Sequence, residues 1–322
     1  MSDKTVIITG GNSGLGYECA KSMAATRQGW LIVIAGRNKQ KIAEAARQLE
    51  AGAPDVQVKP LVLDLASLQS IRNFAGEFAS QDLPPLRALV CNAGIQVISG
   101  TTFTEDGFET TFGVNHLGHF LLVNLLLKQL VAPARIVVVS SDTHDPAQKT
   151  GMPAPRYTNA DSLARPEASP TAEDVGMVGR RRYTTSKLCN LYFTYELSRR
   201  LERRALNTNQ KPITVNAFNP GLMPGTGLAR DYTPLQRFAW NYLLPVIRPL
   251  TRLFMPMNSV QESGQALARL VLDPSLESVS GRYYSGLKEL RSSTESYDVQ
   301  KAGELWESSV KLVELTQAES LL

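Results

Sequence analysis

A tyrosine and a lysine four positions apart, Tyr183 and Lys187, sit in the run Tyr-Thr-Thr-Ser-Lys-Leu-Cys-Asn of residues 183–190. On a helix that spacing puts both side chains on one face, a turn apart. A phenol titrates near ~10, so at neutral pH it is a proton donor and a poor base. An ammonium one turn away favours the phenolate and lowers that value. The pair can then give a proton to a carbonyl oxygen, or take one from an alcohol, while hydride moves elsewhere. Alone, the same spacing fits an ordinary half-exposed helix. The elements that would have to position the pair decide between the two.

The first of these elements is a short β-branched run, Val6-Ile7-Ile8-Thr9, read as a buried strand. It stops at Gly10-Gly11-Asn12-Ser13-Gly14-Leu15-Gly16, and a helix is predicted from about Tyr17 to Thr26. Strand, glycine-rich turn and helix make the first half of a dinucleotide-binding unit. Glycines let the backbone turn tightly and approach a pyrophosphate. The helix N-terminus then offers free N–H groups and a partial positive charge. Gly10, Asn12, Ser13, Gly14, Leu15 and Gly16 are therefore candidate cofactor residues.

A second strand, Leu31–Ala35, ends in Gly36-Arg37-Asn38. A site preferring NAD has an acid there for the ribose 2′-hydroxyl. Here the place holds Arg37 and Asn38, with Lys39 and Lys41 beyond. A guanidinium suits a 2′-phosphate, so NADP(H) is the expected cofactor.

Further strands are predicted at Val58–Leu63, ending in Asp64-Leu65, and at Leu86–Val90, ending in Cys91-Asn92-Ala93-Gly94. Phe108–Leu130 reads as a loop end and a long apolar helix, with Asn115 as a polar residue inside it. Two readings stand for Asn115: it satisfies backbone groups in the core, or it positions a water for proton relay. A fifth strand, Arg135–Val139, delivers Ser140-Ser141 at its carboxyl end, where open parallel sheets bind ligands. Residues 144–182 break the rhythm; two readings stand, an exposed insertion in the position of a lid near the site and a disordered segment. Tyr183–Glu202 resumes a helix, Ile213–Ala217 is a sixth strand ending in Asn219-Pro220-Gly221, and Ser280–Tyr284 a seventh. This alternation predicts an α/β fold, a doubly wound parallel sheet of seven strands with helices on both faces.

Composition narrows the class. The chain has 322 residues, 43% of them apolar and 20% charged, with a formal net charge of +4. That charge is too small, and no basic run is interleaved with aromatics, so no nucleic-acid partner is expected. Cys19, Cys91 and Cys189 are odd in number and far apart, which suggests reduced thiols and a cytoplasmic setting. His116 and His119 share a helical face without a third ligand, so no metal is expected. Met1-Ser2-Asp3-Lys4 leads straight into Thr5–Thr9 with no cleavage pattern, and the expectation is a protein without a signal peptide. No apolar run approaches the ~20 residues that span a bilayer. Residues 222–260 are expected to cover the substrate. Within them Tyr232–Met257 is rich in aromatic and aliphatic residues, broken by Pro245, Pro249 and Pro256. Three uses stand for that stretch: packing on the core, covering a bulky apolar substrate, or resting peripherally on a membrane.

Together these motifs resemble the short-chain dehydrogenase/reductase family over nearly the whole chain. The matching residues are Thr9-Gly10-(x)3-Gly14-x-Gly16, Asp64, Asn92-Ala93-Gly94, Asn115, Ser141, Tyr183-(x)3-Lys187 and Pro220-Gly221. The resemblance implies one Rossmann-like catalytic domain over residues 1–322. It implies Tyr183 as acid/base and Lys187 as the contact to the nicotinamide ribose. Ser141 would hydrogen-bond the substrate oxygen, and Asn115 would hold a relay water. Within the family, Ser186–Asn190 and Asn115–Phe120 are similar to retinol-dehydrogenase-like enzymes and to light-dependent protochlorophyllide reductases. Asp273–Leu276 and Leu305-Trp306-Glu307 lean to the latter. Leu222 stands where protochlorophyllide reductases carry a cysteine, and Gly94 where they tend to have alanine. Thr226 is displaced from the place of the family's usual threonine after Pro-Gly, which Gly225 takes. The implied function is NADP(H)-linked hydride transfer to or from a carbonyl or alcohol of a bulky apolar molecule. Light-dependent reduction of a C=C bond is the alternative, and a non-catalytic NADP-binding interaction protein the third reading.

Overall fold

The computed structural model describes residues 2–167, 174–208, 212–224 and 258–322. β1 (Lys4–Thr9), β2 (Trp30–Gly36) and β4 (Leu86–Cys91) are rich in branched aliphatic residues and are buried on both faces, as strands of a covered parallel sheet must be. β3 (Gln57–Val62) lies at the edge and buries only Val58 and Leu61, one on each face of the sheet. β5 (Leu130–Val139) and β6 (Ile213–Asn219) continue the sheet on the other side of β4. The order is β3-β2-β1-β4-β5-β6-β7-β8, with β7 at Tyr283–Ser285 and β8 at Lys288–Leu290. Chain order reverses beside β1, so the crevice at the carboxyl ends of β1 and β4 is the topological switch point where such sheets bind ligands.

Successive side chains of a strand point to opposite faces, and the core divides accordingly. Ile7 and Val33 face a layer made by α3 (Leu68–Ala79), α5 (Gly118–Leu126), α7 (Val175–Thr208) and α9 (Val299–Leu312). Val6, Ile8, Ile32 and Ile34 face α1 (Gly14–Ala25), α2 (Lys39–Gly52) and α8 (Val260–Leu272). Both faces carry helices, as a doubly wound sheet requires.

Among the described residues the sheet has eight strands, one more than the seven expected. β8 runs antiparallel to β7 across the loop Gly286-Leu287, and Gly286 takes φ +56. A glycine at positive φ opening a two-residue loop is what a tight hairpin needs. With three residues per strand, the hairpin falls below the length at which apolar periodicity speaks.

The expected helix over Phe108–Leu130 is divided. A single turn, α4 (Thr110–Phe112), passes into a π turn at Gly113–Leu117 before α5, and Leu130 already belongs to β5. A π turn carries one more residue per hydrogen-bonded ring than an α turn, and it falls on Asn115.

The described residues of 144–182 are mostly exposed or half-buried, with a few buried anchors among them. His144 and Tyr157 are buried, and α6 (Ala160–Ala164) buries both terminal alanines. The Tyr157 ring lies edge-on to Tyr192 at 5.3 Å and its hydroxyl meets Glu304 of α9. The segment lacked helical or strand period because isolated anchors, and no amphipathic face, hold it down. α7 begins at Val175, so Tyr183 lies inside the helix and not at its start. The expected covering stretch Tyr232–Met257, with Gly225 and Thr226, lies outside the described residues. No described helix is long and apolar enough to cross a membrane.

Candidate active site

The carboxyl ends of the central strands open into a cleft of about 720 Å³. Gly10, Asn12, Ser13, Gly14 and Leu15 line one end. Gly10 and Gly14 take φ +66 and +55, the left-handed region that glycine enters without strain. Gly16 lies behind this lining and is bare for a different reason. A Cβ there would stand 2.6 Å from Asn92 Nδ2 and 2.6 Å from the Gly10 carbonyl oxygen. Ser13 is the N-cap of α1 in extended conformation, and its side chain makes no capping bond. The first-turn N–H groups are thus left for an anion, with no acid in that turn to repel it.

Arg37 lines the rim after β2 and is exposed. Asn38 is absent from the lining, and its side chain caps α2 by accepting from the Lys41 N–H at 2.9 Å. Asp64 lines the cleft after β3 and accepts from the Ala66 N–H at 3.0 Å. Leu65 lines it too, and its carbonyl oxygen stands 2.6 Å from where a Cβ on Gly118 would be.

Asn92, Ala93 and Gly94 form the floor. Thr9 fixes them: its Oγ1 accepts from the N–H groups of Asn92 and Ala93, both at 2.9 Å, and Asn92 Nδ2 donates to the Thr9 carbonyl at 2.8 Å. Thr9 is a site residue that the sequence reading quoted in a motif but gave no role. The signal was a hydroxyl at the last position of a buried strand, which must find polar partners. Its Oγ1 also lies 2.9 Å from His119 Nε2. His116 Nε2 instead meets Ser309 Oγ at 2.9 Å. Burial holds both imidazoles neutral, lowering His116 to about 3 and His119 to about 4. Among the described residues no cluster could hold a metal ion.

Tyr183, Lys187 and Ser141 line the other end, with Pro220 and Gly221. Lys187 is 3% exposed and its Nζ donates to the Val139 carbonyl at 3.2 Å. Burial pulls its pKa down to about 8. The ammonium stands 5.5 Å from the Tyr183 ring centre. A Cβ on Gly94 would be 3.5 Å from Lys187 Nζ and 3.3 Å from Asn115 Oδ1, so the bare glycine lets all three approach. α7 is docked against β5 by Ser140 Oγ, which donates to the Lys187 carbonyl at 2.7 Å, and by Asn190 Nδ2, which donates to the Val139 carbonyl at 3.0 Å. Both adjacent serines line the cleft, but the Ser140 hydroxyl is used in the docking contact, while Ser141 Oγ bonds to Asp142 Oδ1 at 3.1 Å.

Asn115 does not line the cleft. Its Oδ1 accepts from the Ile95 N–H at 2.8 Å, and its Nδ2 donates to the Ile95 carbonyl at 2.9 Å and to Ser186 Oγ at 3.0 Å. The side chain satisfies the backbone groups of Ile95 and bonds Ser186. Beyond the expected residues, Gln148, Lys149, Thr150 and Met152 line the cleft beside Leu222 and Met223. The sequence carried no signal for them, because they lie in the stretch without period.

The switch-point cleft, the glycine turn and the Tyr-Lys pair on one helix place this chain in the short-chain dehydrogenase/reductase family. Residues 4–153 match the family described as short chain dehydrogenase. The chain is 36% identical over 322 residues to the WW domain-containing oxidoreductase of Homo sapiens, covering 98% of this chain and 69% of that one. It is also 36% identical to protochlorophyllide reductase A, chloroplastic, of Arabidopsis thaliana, covering 96% of this chain and 76% of that one. Among solved structures, the fold is shared with a blue fluorescent protein from a metagenomic library in complex with NADPH. That match has a TM-score of 0.62 at 21% identity and covers 89% of this chain and 98% of that one. A short chain dehydrogenase from Burkholderia cenocepacia in complex with NADP matches at TM-score 0.62 and 22% identity, covering 88% of this chain and 96% of that one.

Proposed function

We propose that the chain is an NADP(H)-dependent oxidoreductase acting on a carbonyl or alcohol of a bulky apolar molecule, with Tyr183 as acid/base. The observation that carries this is the buried Tyr183–Lys187 pair beside Ser141, in the same cleft as the glycine turn. The dinucleotide, when bound, supplies or accepts the hydride. The uncapped first turn of α1 would hold its pyrophosphate, and the bare Gly16 lets α1 pack closely against Gly10 and Asn92 behind it. Arg37, with no acid after β2, takes the 2′-phosphate. NADPH-bound and NADP-bound proteins of the same fold support the cofactor choice.

In the reducing direction the substrate carbonyl carbon gains hydride, and its oxygen takes the Tyr183 proton, leaving an alcohol and a phenolate. Lys187 favours that phenolate by its charge. Ser141 holds the oxygen in place. Ile95, Val114, Met152, Leu222 and Met223 give this end an apolar lining suited to a large hydrophobic substrate. The relatedness to protochlorophyllide reductases favours light-dependent C=C reduction as a second reading. Leu222 speaks against it, because an aliphatic side chain in the lining has no proton to give.

One experiment separates them. NADPH oxidation is followed with retinal, phenanthrenequinone and protochlorophyllide, each in darkness and under light. The expected result is dark turnover of a carbonyl, with NADPH bound much more tightly than NADH, and the order reversed in Arg37→Asp. Turnover of protochlorophyllide alone and only under light would establish the second reading. Equal dissociation constants for the two cofactors would end the assignment to Arg37.

A further inference from the structure

We infer that His144 is a positioning residue that sets Ser141 relative to Tyr183, by tying the turn after β5 to the segment that follows β8. Ser141 opens a single 3-10 turn, Asp142–His144, and His144 closes it. The imidazole is 2% exposed. Its Nδ1 lies 2.5 Å from the Ser141 carbonyl oxygen, and its Nε2 lies 3.0 Å from the Ser293 main-chain nitrogen. A carbonyl can only accept and an amide N–H can only donate. The ring satisfies both in a single state, neutral with the proton on Nδ1. A charged ring would aim an N–H at the Ser293 N–H. Burial holds the imidazole below its ordinary pKa, against the nearby Asp142 and Asp145 carboxylates, which agrees with the neutral form. The ring also stands edge-on to Tyr283 of β7, with centres 5.3 Å apart.

The other side of the same segment is tied to the helix that carries the tyrosine. Ser292 Oγ bonds to the Tyr195 hydroxyl and to Ser296 Oγ, both at 2.6 Å. Tyr195 lies on α7, the helix of Tyr183 and Lys187. Tyr195 further stacks on Tyr297 at 5.0 Å. Residues 292–297 are therefore a common reference for two groups that must meet the same substrate oxygen. His144 holds the Ser141 main chain to it, and Tyr195 holds α7 to it. None of these contacts touches the cleft lining at Ser141 Oγ, so the positioning acts from behind.

The inference rests on the proposed carbonyl chemistry only in its kinetic arm, and a second arm needs no substrate. The variants are His144→Phe, His144→Asn and His144→Gln. An asparagine amide can donate from near the Nδ1 place, whereas glutamine can offer an acceptor near the Nε2 place. On phenanthrenequinone with NADPH, His144→Phe and His144→Gln should lose roughly tenfold or more in kcat, since small misplacements of reacting groups cost that much. KM for NADPH should not move, and His144→Asn, which keeps the bond to Ser141 but not the tie to Ser293, should lose kcat as His144→Phe does. A kcat per folded molecule that is unchanged in His144→Phe overturns the inference, even if Tm falls. The second arm is nitrogen-15 spectroscopy of the parent protein, which has only three histidines. His144 should show a protonated Nδ1 and a bare Nε2, and a proton on Nε2 overturns the inference. If the parent reduces no carbonyl, the functional proposal fails by itself. Amide exchange then decides: His144→Phe should speed exchange at Thr143 and Ser293, with His144→Asn restoring Thr143 alone. No change at either amide would refute the positioning.

Discussion

The two ends of the cleft are built by different means. The end formed by the glycine turn, Asp64 and Asn92–Gly94 is mostly main chain, held by bonds from strand ends to one another, such as Thr9 to Asn92 and Ala93. The end formed by Ser141, Tyr183 and Lys187 is held by side chains reaching across the fold. Ser140 reaches Lys187, Asn190 reaches Val139, and His144 reaches Ser293. A main-chain surface can receive phosphates and a ribose with little demand on side-chain precision. Proton transfer demands that a hydroxyl sit within hydrogen-bond reach of one atom. The more exacting task has the scaffold with more side chains in it, though only the His144 bond spans more of the chain than those of Thr9.

The largest break in this comparison should come from Tyr183→Phe. The substitution removes one hydroxyl from a residue 7% exposed and leaves the ring to pack. On a carbonyl that the parent reduces, kcat should fall by about a thousandfold, the usual scale of a lost general acid. The NADPH dissociation constant and Tm should hold, because the cofactor end is made independently. Stopped-flow turnover beside fluorescence titration of NADPH checks both halves. A matching loss of NADPH affinity would mean that the two ends are not separable.

The same division explains what the sequence could be read for. The glycine turn, Arg37 and the Tyr-Lys spacing are local patterns, and each strand end they decorate is announced by a buried aliphatic run. Asp64, Asn92 and Ser141 follow, since each is the polar residue at such an end. Asn38 was drawn in by its neighbour Arg37, but a residue just before a helix is more useful to that helix as its cap. Asn115 was legible as a polar residue in an apolar run, while its partners, Ile95 and Ser186, lie 20 and 71 positions away. His144 and the Ser292–Ser296 segment are joined across 149 positions, and no local spacing encodes such a bond. The hairpin of β7 and β8 left one clue, the glycine opening its loop.

A smaller effect should separate the ends by pH. Burial lowers the Lys187 pKa from the ordinary 10.5 to about 8. Between those values the unfolded chain binds more protons than the folded one, so stability of the cofactor-free protein rises with pH across that window. Below about 8 both states carry the charge, and the full cost of burying it is present. Its scale is on the order of 3 kcal/mol from the shift. The contrast between parent and Lys187→Met isolates it. The stability difference between the two, from denaturant unfolding, should shift in the parent's favour as pH rises from about 8 to 10.5. A constant difference would mean that burial does not lower the folded-state pKa below its ordinary value.

The smallest effects should come from the glycine turn, where two glycines are needed for two reasons. Gly16 has an ordinary φ, but a Cβ would meet Asn92 Nδ2 and the Gly10 carbonyl at 2.6 Å. Gly14 has φ +55 and nothing within 4 Å of its Cβ position. Gly16→Ala is therefore an overpacking change, costing about 1–3 kcal/mol. It should also push the Asn92 amide off the Thr9 carbonyl and weaken NADPH binding. Gly14→Ala meets only the left-handed backbone, at about 1 kcal/mol. Gly14→Asn should cost less than Gly14→Ala, since asparagine enters that region more readily. Gly16→Asn should cost more than Gly16→Ala, because a longer side chain cannot relieve a contact made at Cβ. Denaturant midpoints of the four variants test the reversal. If asparagine ranks the same against alanine at both positions, contact and backbone strain are not the separate causes that the geometry makes them.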